Sequence, residues 1–226
     1  MCWHGWPVID LLIAHCCHGR APVFQSRDAA DPAFWDERFS REHTPWDAHG
    51  VPAAFRQFLE AQPAPLSTLI PGCGNAYEAG WLAERGWPVT AIDFAPSAVT
   101  SAKAVLGPYA DVVELADFFR FVPHRPVQWI YERAFLCAMP RRLWPDYATQ
   151  VAKLLPPGGL LAGFFAVVEG RDAVPKGPPF ETTQAELDAL LLPAFERVSD
   201  TPIAEADSIP VFAGRERWQI WRRRAD

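Results

Sequence analysis

From Leu66 onward, short apolar runs alternate with stretches whose apolar residues recur at helical spacing. Leu66 to Ile70 is apolar and runs into Pro71-Gly72, the pattern of a buried strand entering a loop. Asn75, with Glu78 three residues on, predicts an N-cap and a capping box for a helix running to about Arg85, where Gly86 and Pro88 end it. Val89 to Ile92 predicts a second strand ending in Asp93, and Pro96 suits the first position of the helix that follows. That helix has Ala98, Val99, Ala102, Val105 and Leu106 as its apolar face and stops at Gly107-Pro108. Further strands are predicted at Val112 to Leu115 and Val127 to Tyr131. A helix over Leu143 to Leu155 then runs into the turn signal Pro156-Pro157-Gly158-Gly159.

Leu160 to Val168 is apolar throughout, as in the buried middle of a parallel sheet. Thr183 and Glu186 form a second capping-box pattern for a helix reaching about Leu192, and strands follow near Phe195 to Val198 and Arg217 to Arg222. Strands alternating with helices imply an α/β fold, a mostly parallel sheet covered on both faces. The last two strands have no helix between them and should pair antiparallel at one edge. Pro32 to Ser40 and Pro52 to Ala61 read as helices lying over the top of the sheet. Residues 31–62 are expected to form this helical cap, residues 63–226 the α/β core, and residues 1–30 a mobile extension, as from a misplaced start codon.

The 226 residues suit one domain, and half of them are apolar, enough for a substantial core. A net charge of −6 argues against a nucleic-acid surface, and the one basic run, Arg222-Arg223-Arg224, reads as a solvated tail. Five cysteines without framework spacing point to a reducing, cytoplasmic setting. The apolar stretch Leu160 to Val168 falls far short of the ~20 residues of a membrane span. The run Val8 to Ala14 has no basic residue before it, so it makes a poor secretory signal. His15-Cys16-Cys17-His18 lacks the spacing of a zinc site, and no metal is expected.

The chemistry centres on Pro71-Gly72-Cys73-Gly74. Glycines there allow close backbone approach and positive φ. Asp93, about twenty residues on at a strand end, can accept from both hydroxyls of an adenosine ribose. Dinucleotides and S-adenosylmethionine share that geometry. Tyr77 stands where the dinucleotide fingerprint needs a small residue, and Glu78 would repel a pyrophosphate, which weakens the dehydrogenase reading. Asp117 and Phe118 are placed to meet an adenine edge and face, and read equally well as a loop carboxylate beside a core ring. Trp35, Phe39 and Trp46 are large apolar residues in a charged segment. They suit a sulfonium cation and suit anchoring the cap equally. His43 and His124 read as solvated loop histidines, and Cys73 and Cys137 as space-filling residues.

With these residues in hand, the chain resembles the thiopurine S-methyltransferase family, including its bacterial and plant thiol and halide branch. The resemblance spans roughly Phe34 to Arg223. It is carried by Phe34-Trp35 with Arg38-Phe39, Thr44-Pro45-Trp46-Asp47, Pro71-Gly72-Cys73-Gly74, Glu132-Arg133-Ala134-Phe135-Leu136-Cys137-Ala138, Pro156-Pro157-Gly158-Gly159 and Pro210-Val211-Phe212-Ala213-Gly214-Arg215-Glu216. It implies a Rossmann-like class I methyltransferase fold with a seven-stranded sheet. It also implies S-adenosylmethionine as cofactor, contacted by Trp35, Phe39, Trp46, Gly72, Asp93, Asp117, Phe118 and Arg133. Plant halide-type members carry tryptophan where this chain has Phe39 and tyrosine where it has Arg133; the thiopurine type carries arginine there.

The expected reaction is in-line displacement onto a small-molecule methyl acceptor with a soft nucleophilic atom, by a monomer or weak oligomer. No Ser/His/Asp set or paired carboxylates are placed for acid–base work. Orientation can supply roughly 7–11 kcal/mol, and an aromatic lid can exclude water. Arg133 is a candidate for positioning an anionic acceptor or the cofactor, and reads otherwise as a structural ion pair with Glu132 or a neighbour. The alternatives are halide or thiocyanate methylation on the same scaffold, a nicotinamide-dependent oxidoreductase, and a non-catalytic cofactor-binding protein.

Overall fold

The computed structural model describes residues 23–170, 177–212 and 214–225. The His15 to His18 cluster, the run Val8 to Ala14 and part of the Glu169–Phe180 segment lie outside them. A sheet of seven strands in the order β3-β2-β1-β4-β5-β8-β7 runs through the protein, with a short β6 pairing beside β5. Its strands are β1 (Thr68–Pro71), β2 (Val89–Asp93), β3 (Val113–Leu115), β4 (Trp129–Arg133), β5 (Leu160–Val168), β6 (Thr182–Thr183), β7 (Phe195–Pro202) and β8 (Glu216–Arg223). The helices are α1 (Pro32–Ser40), α2 (Ala53–Glu60), α3 (Tyr77–Glu84), α4 (Pro96–Leu106), α5 (Trp144–Leu154) and α6 (Gln184–Leu191). Strands β1 to β5 are parallel, whereas β8 runs antiparallel to both β5 and β7. The missing helix between β7 and β8 thus gives the expected antiparallel pairing at one edge, with the reversed strand one place inside it.

Period-two alternation in the strands divides the core between the two faces of the sheet. Trp129 and Tyr131 of β4, Phe164 of β5 and Trp218 of β8 share one cluster, while Ile130, Leu161, Phe165 and Trp221 share the other. Helices α2, α3 and α4 cover the first face, and α5 and α6 the second. The expectation that α2 lies over the top of the sheet is corrected. Its apolar stripe of Phe55, Phe58 and Leu59 is buried, with ring centres 4.7 Å from Phe58 to Trp129 and 4.8 Å from Phe55 to Tyr131. A helix with so continuous an apolar face packs flat on a sheet.

Local signals account for most helix starts. Asp31 caps α1 by accepting from the Ala33 amide at 3.0 Å, Pro32 leads that helix, and Thr183 and Glu186 form the full capping box of α6. The predicted capping box of Asn75 and Glu78 does not form. Helix α3 begins at Tyr77 behind Ala76, which is left-handed at φ 57°, and no side chain caps it. Both predicted capping residues are engaged in the site described below. The fourth strand is shifted two residues later than expected, because the Gln128 and Trp129 amides donate to the Ser67 carbonyl ahead of β1 before the ladder begins.

Residues 23–30 run against the cap and core. Ala29 is buried, its carbonyl accepts from the Trp35 indole at 2.8 Å, and Asp28 takes a two-pronged bond from Arg142.

Candidate active site

The C-terminal ends of β1, β2, β3 and β4 open into a cavity of about 900 Å³, roofed by α1 and the loop that follows it. The volume falls within the range of cofactor sites. All eight residues expected to contact the cofactor, Trp35, Phe39, Trp46, Gly72, Asp93, Asp117, Phe118 and Arg133, line it.

The floor is the turn leaving β1. Gly72 and Gly74 take φ +58° and +53°, a region open chiefly to glycine. A Cβ at Gly72 would come within 2.4 Å of the Phe135 ring, so the absent side chain makes room for a protein ring. At Gly74 it would stand 3.4 Å from Phe39 of the roof. Behind the turn, Glu132 holds Phe135 in place. Its carboxylate accepts from the Phe135 and Leu136 amides at 2.9 Å each and from the Tyr147 hydroxyl at 2.8 Å. Full burial raises the Glu132 pKa to about 7 despite those donors.

Asp93, at the end of β2, is buried and accepts from the Gly74 amide at 3.2 Å and the Ala95 amide at 3.0 Å. A carboxylate has about four acceptor positions, so these bonds leave acceptor capacity toward the cavity. Burial lifts its pKa to about 6, against the pull of those backbone donors. Leu115, at the end of β3, lines the cavity with more than half of its surface bare, which suits covering by a planar apolar group. Asp117 turns inward to cap the short turn after it, accepting from the Phe119 amide at 2.9 Å. The Phe118 ring is sunk among Phe119, Phe135 and Tyr147. These residues thus serve the core and also border the cavity.

The roof is an edge-to-face aromatic set, with Trp46 lying 5.3 Å from Trp35 and 6.0 Å from Phe39. Two carboxylates fasten it. Asp36 accepts from the Ser97 amide at 2.7 Å, closing the N-terminus of α4, which has no side-chain cap of its own. Asp47 accepts from the Asn75 amide and, at 3.2 Å, from the Tyr77 hydroxyl; the Ser101 hydroxyl donates to Asn75 at 2.5 Å. Asn75 is thus spent on the roof, which is why it does not cap α3. Asp47 stood inside a motif quoted above, and Tyr77 was noticed only for its bulk. Their meeting depends on a contact across thirty residues that no local pattern announces.

Glu78 faces inward. Arg133 donates to its carboxylate at 2.9 Å and the Tyr131 hydroxyl at 3.0 Å. Arg133 is therefore in an ion pair, with Glu78 in place of the suggested Glu132, and its guanidinium also lies over the Phe164 ring at 4.9 Å.

A strand-end carboxylate beside a positive-φ glycine turn under an aromatic roof, on this strand order, narrows the choice of relatives. The sequence profile of the family described as Thiopurine S-methyltransferase (TPMT) matches residues 30–224. The chain belongs to the thiopurine S-methyltransferase family. Among its relatives, "Probable thiol methyltransferase 2" of Arabidopsis thaliana is 29% identical over 171 residues, covering 73% of this chain and 74% of that one. "Thiocyanate methyltransferase 1" of the same plant is 26% identical over 195 residues, 84% of each chain. Among solved structures, the 1,6-didemethyltoxoflavin-N1-methyltransferase of Burkholderia thailandensis superposes with a TM-score of 0.68 at 17% identity, covering 86% of this chain and 87% of that one. The fold of this family member is that of a class I methyltransferase. No helix among the described residues is long and apolar enough to cross a membrane.

Proposed function

We propose that this protein is an S-adenosylmethionine-dependent methyltransferase whose acceptor is a small soft nucleophile, foremost the sulfur of a thiol or thiopurine-like thione. The observation that carries the reading is the convergence, in one cavity, of Gly72, Asp93 and the Trp35–Phe39–Trp46 roof. Asp93 would take the ribose hydroxyls. Leu115, Asp117 and Phe118 would border the adenine, and Arg133 would lie toward the reacting end. Held by the Gly72 turn, Asp93 and the aromatic roof, S-adenosylmethionine would supply a methyl group on a positively charged sulfur for direct transfer to the acceptor.

The protein's part is to bind, align and dry. The roof places aromatic surface where a sulfonium would sit, which attracts a cation. It also excludes water, which strips the acceptor of its hydration. A thiol with a lowered pKa arrives partly as thiolate and needs no base from the protein. Helix α1 and the loop after it would act as the cap, and α2 together with residues 63–226 as the catalytic core. We place the protein in the cytoplasm, a reading supported by the free thiols of Cys73 and Cys137.

The nicotinamide alternative is weakened by the first turn of α3, where the bulk of Tyr77 and the carboxylate of Glu78 stand in the place a pyrophosphate would approach. Halide or thiocyanate methylation is the second reading, favoured by the plant thiocyanate methyltransferase among the relatives. Calorimetric titration with S-adenosylhomocysteine and, in parallel, NADH comes first, followed by an acceptor screen of thiols, thiopurines and iodide. Binding of the homocysteine product with transfer to sulfur acceptors is expected. Binding of NADH alone would overturn the reading.

A further inference from the structure

The cavity's charge is unevenly used. By strand order, a cofactor seated at Gly72, Asp93 and Leu115 lies over β1, β2 and β3, which leaves the β4 side for the acceptor. The guanidinium facing that side is Arg133. Its side chain is 13% exposed and that of Glu78 11%, and the two sit 2.9 Å apart. Tyr131, fully buried, donates to the same Glu78 carboxylate oxygen as Arg133, at 3.0 Å. Glu216, also buried, is a further carboxylate within electrostatic reach of Arg133. An anion approaching from the cavity therefore meets a guanidinium whose charge is offset by the paired Glu78 and by the nearby Glu216.

The geometry points to Glu78 as the residue that sets the acceptor's charge class: by locking Arg133, it fits the β4 side of the cavity to the uncharged sulfur of a thione in preference to an anionic acceptor, thiolate or inorganic. A thione attacks without first becoming an anion and sheds its ring N–H proton to water afterwards. This inference rests on the proposed methyltransferase reading for the identity of the acceptor, but the selectivity is a property of the cavity itself. The same lock serves a cationic cofactor, since a released guanidinium would stand beside the sulfonium and repel it.

Thiocyanate, a soft monovalent anion, is the probe. It is titrated calorimetrically into protein saturated with S-adenosylhomocysteine, for the wild type, Glu78→Gln, and the double variant Glu78→Gln with Arg133→Met. Glu78→Gln should bind thiocyanate about tenfold more tightly than the wild type, between the limits set by strong and weak screening of a unit charge at contact range. The double variant should return to the wild-type value. In Glu78→Gln the affinity for S-adenosylmethionine should also fall relative to that for S-adenosylhomocysteine, which lacks the positive sulfur. A change in packing alone would weaken both cofactor forms alike and leave thiocyanate unaffected. Equal thiocyanate affinity in wild type and Glu78→Gln would overturn the inference, as would a gain that survives in the double variant. If circular dichroism shows Glu78→Gln unfolded, Tyr131→Phe loosens the same carboxylate and should give a smaller gain in the same direction; no gain there counts against the lock. Should the wild type bind neither form of the cofactor, the methyltransferase reading fails. The thiocyanate titrations of the free proteins then still decide the selectivity.

Discussion

At the scale of single residues, Asp93 carries the sharpest expectation. Its buried carboxylate titrates near 6 and keeps acceptor positions open toward the cavity. Hydroxyl donors favour the ionised form. The affinity for S-adenosylhomocysteine should therefore rise with pH up to about 6 and level off above it. The slope should vanish in Asp93→Asn, whose binding should be weaker by roughly 1–3 kcal/mol at neutral pH. Calorimetry from pH 5 to 8 reads both, and a flat wild-type profile would remove Asp93 from the cofactor's contacts. The position of this residue was legible in the sequence because it is set locally: a carboxylate at the end of a strand, at a fixed distance from a glycine turn. The roles of Gly72 and Glu132 were not. The side chain missing at Gly72 makes way for Phe135, sixty-three residues on. Glu132 sat in a quoted motif with no sign that its carboxylate would be buried under three donors.

Among elements, the difference between what was and was not readable follows the same physics. Helix α1 and strand β5 occur with the bounds expected, since Asp31-Pro32 starts the one and unbroken apolarity with a flanking turn delimits the other. The capping box of α6 forms because Thr183 and Glu186 turn back onto the helix's own amides. The sequence pattern at Asn75 and Glu78 is as good, yet each side chain is drawn off by a partner in another element: Asp47 of the cap for one, Tyr131 and Arg133 of β4 for the other. Tertiary competition thus decides between two equal local patterns. The hold of the cap on α3 also makes an expectation. Asp47→Ala leaves the Asn75 amide and the Tyr77 hydroxyl without their acceptor. It should speed release of S-adenosylhomocysteine by about tenfold, as the loss of one to two net hydrogen bonds implies. Stopped-flow fluorescence, using the roof tryptophans Trp35 and Trp46, measures it; an unchanged release rate would mean that the cap does not gate the site.

For the molecule as a whole, the buried carboxylates act together on stability. Asp93 and Glu132 titrate near 6 and 7 in the folded protein, and burial raises Glu216 as well. All three lie above the values of an unfolded chain, so between about pH 4 and 7 the folded protein holds more protons than the unfolded one. Stability must then fall as pH rises through that interval. The melting temperature of the ligand-free protein should accordingly be higher near pH 5 than near pH 7.5. Asp93→Asn should flatten the lower part of the decline, as differential scanning calorimetry would show. A melting temperature that climbs from pH 5 to 7.5 would contradict the burial of these groups. The mostly parallel sheet, its antiparallel edge and its two covered faces were implied by the alternation of strands and helices, whereas the strand order that opens the cavity at the strand ends came from the structure. What the pattern could not convey is which polar side chains meet across that cavity.

The roof has a consequence for traffic. One cavity serves both halves of the reaction, and Trp35, Phe39 and Trp46 close over it from a cap tied down at Ser97 on one side and at Asn75 and Tyr77 on the other. On the proposed reading, spent cofactor and methylated product would both leave past this cap. Release of the Asp36 and Asp47 carboxylates from their partners would then set the pace of the cycle, and an acceptor with a faster chemical step would gain nothing once that limit was reached.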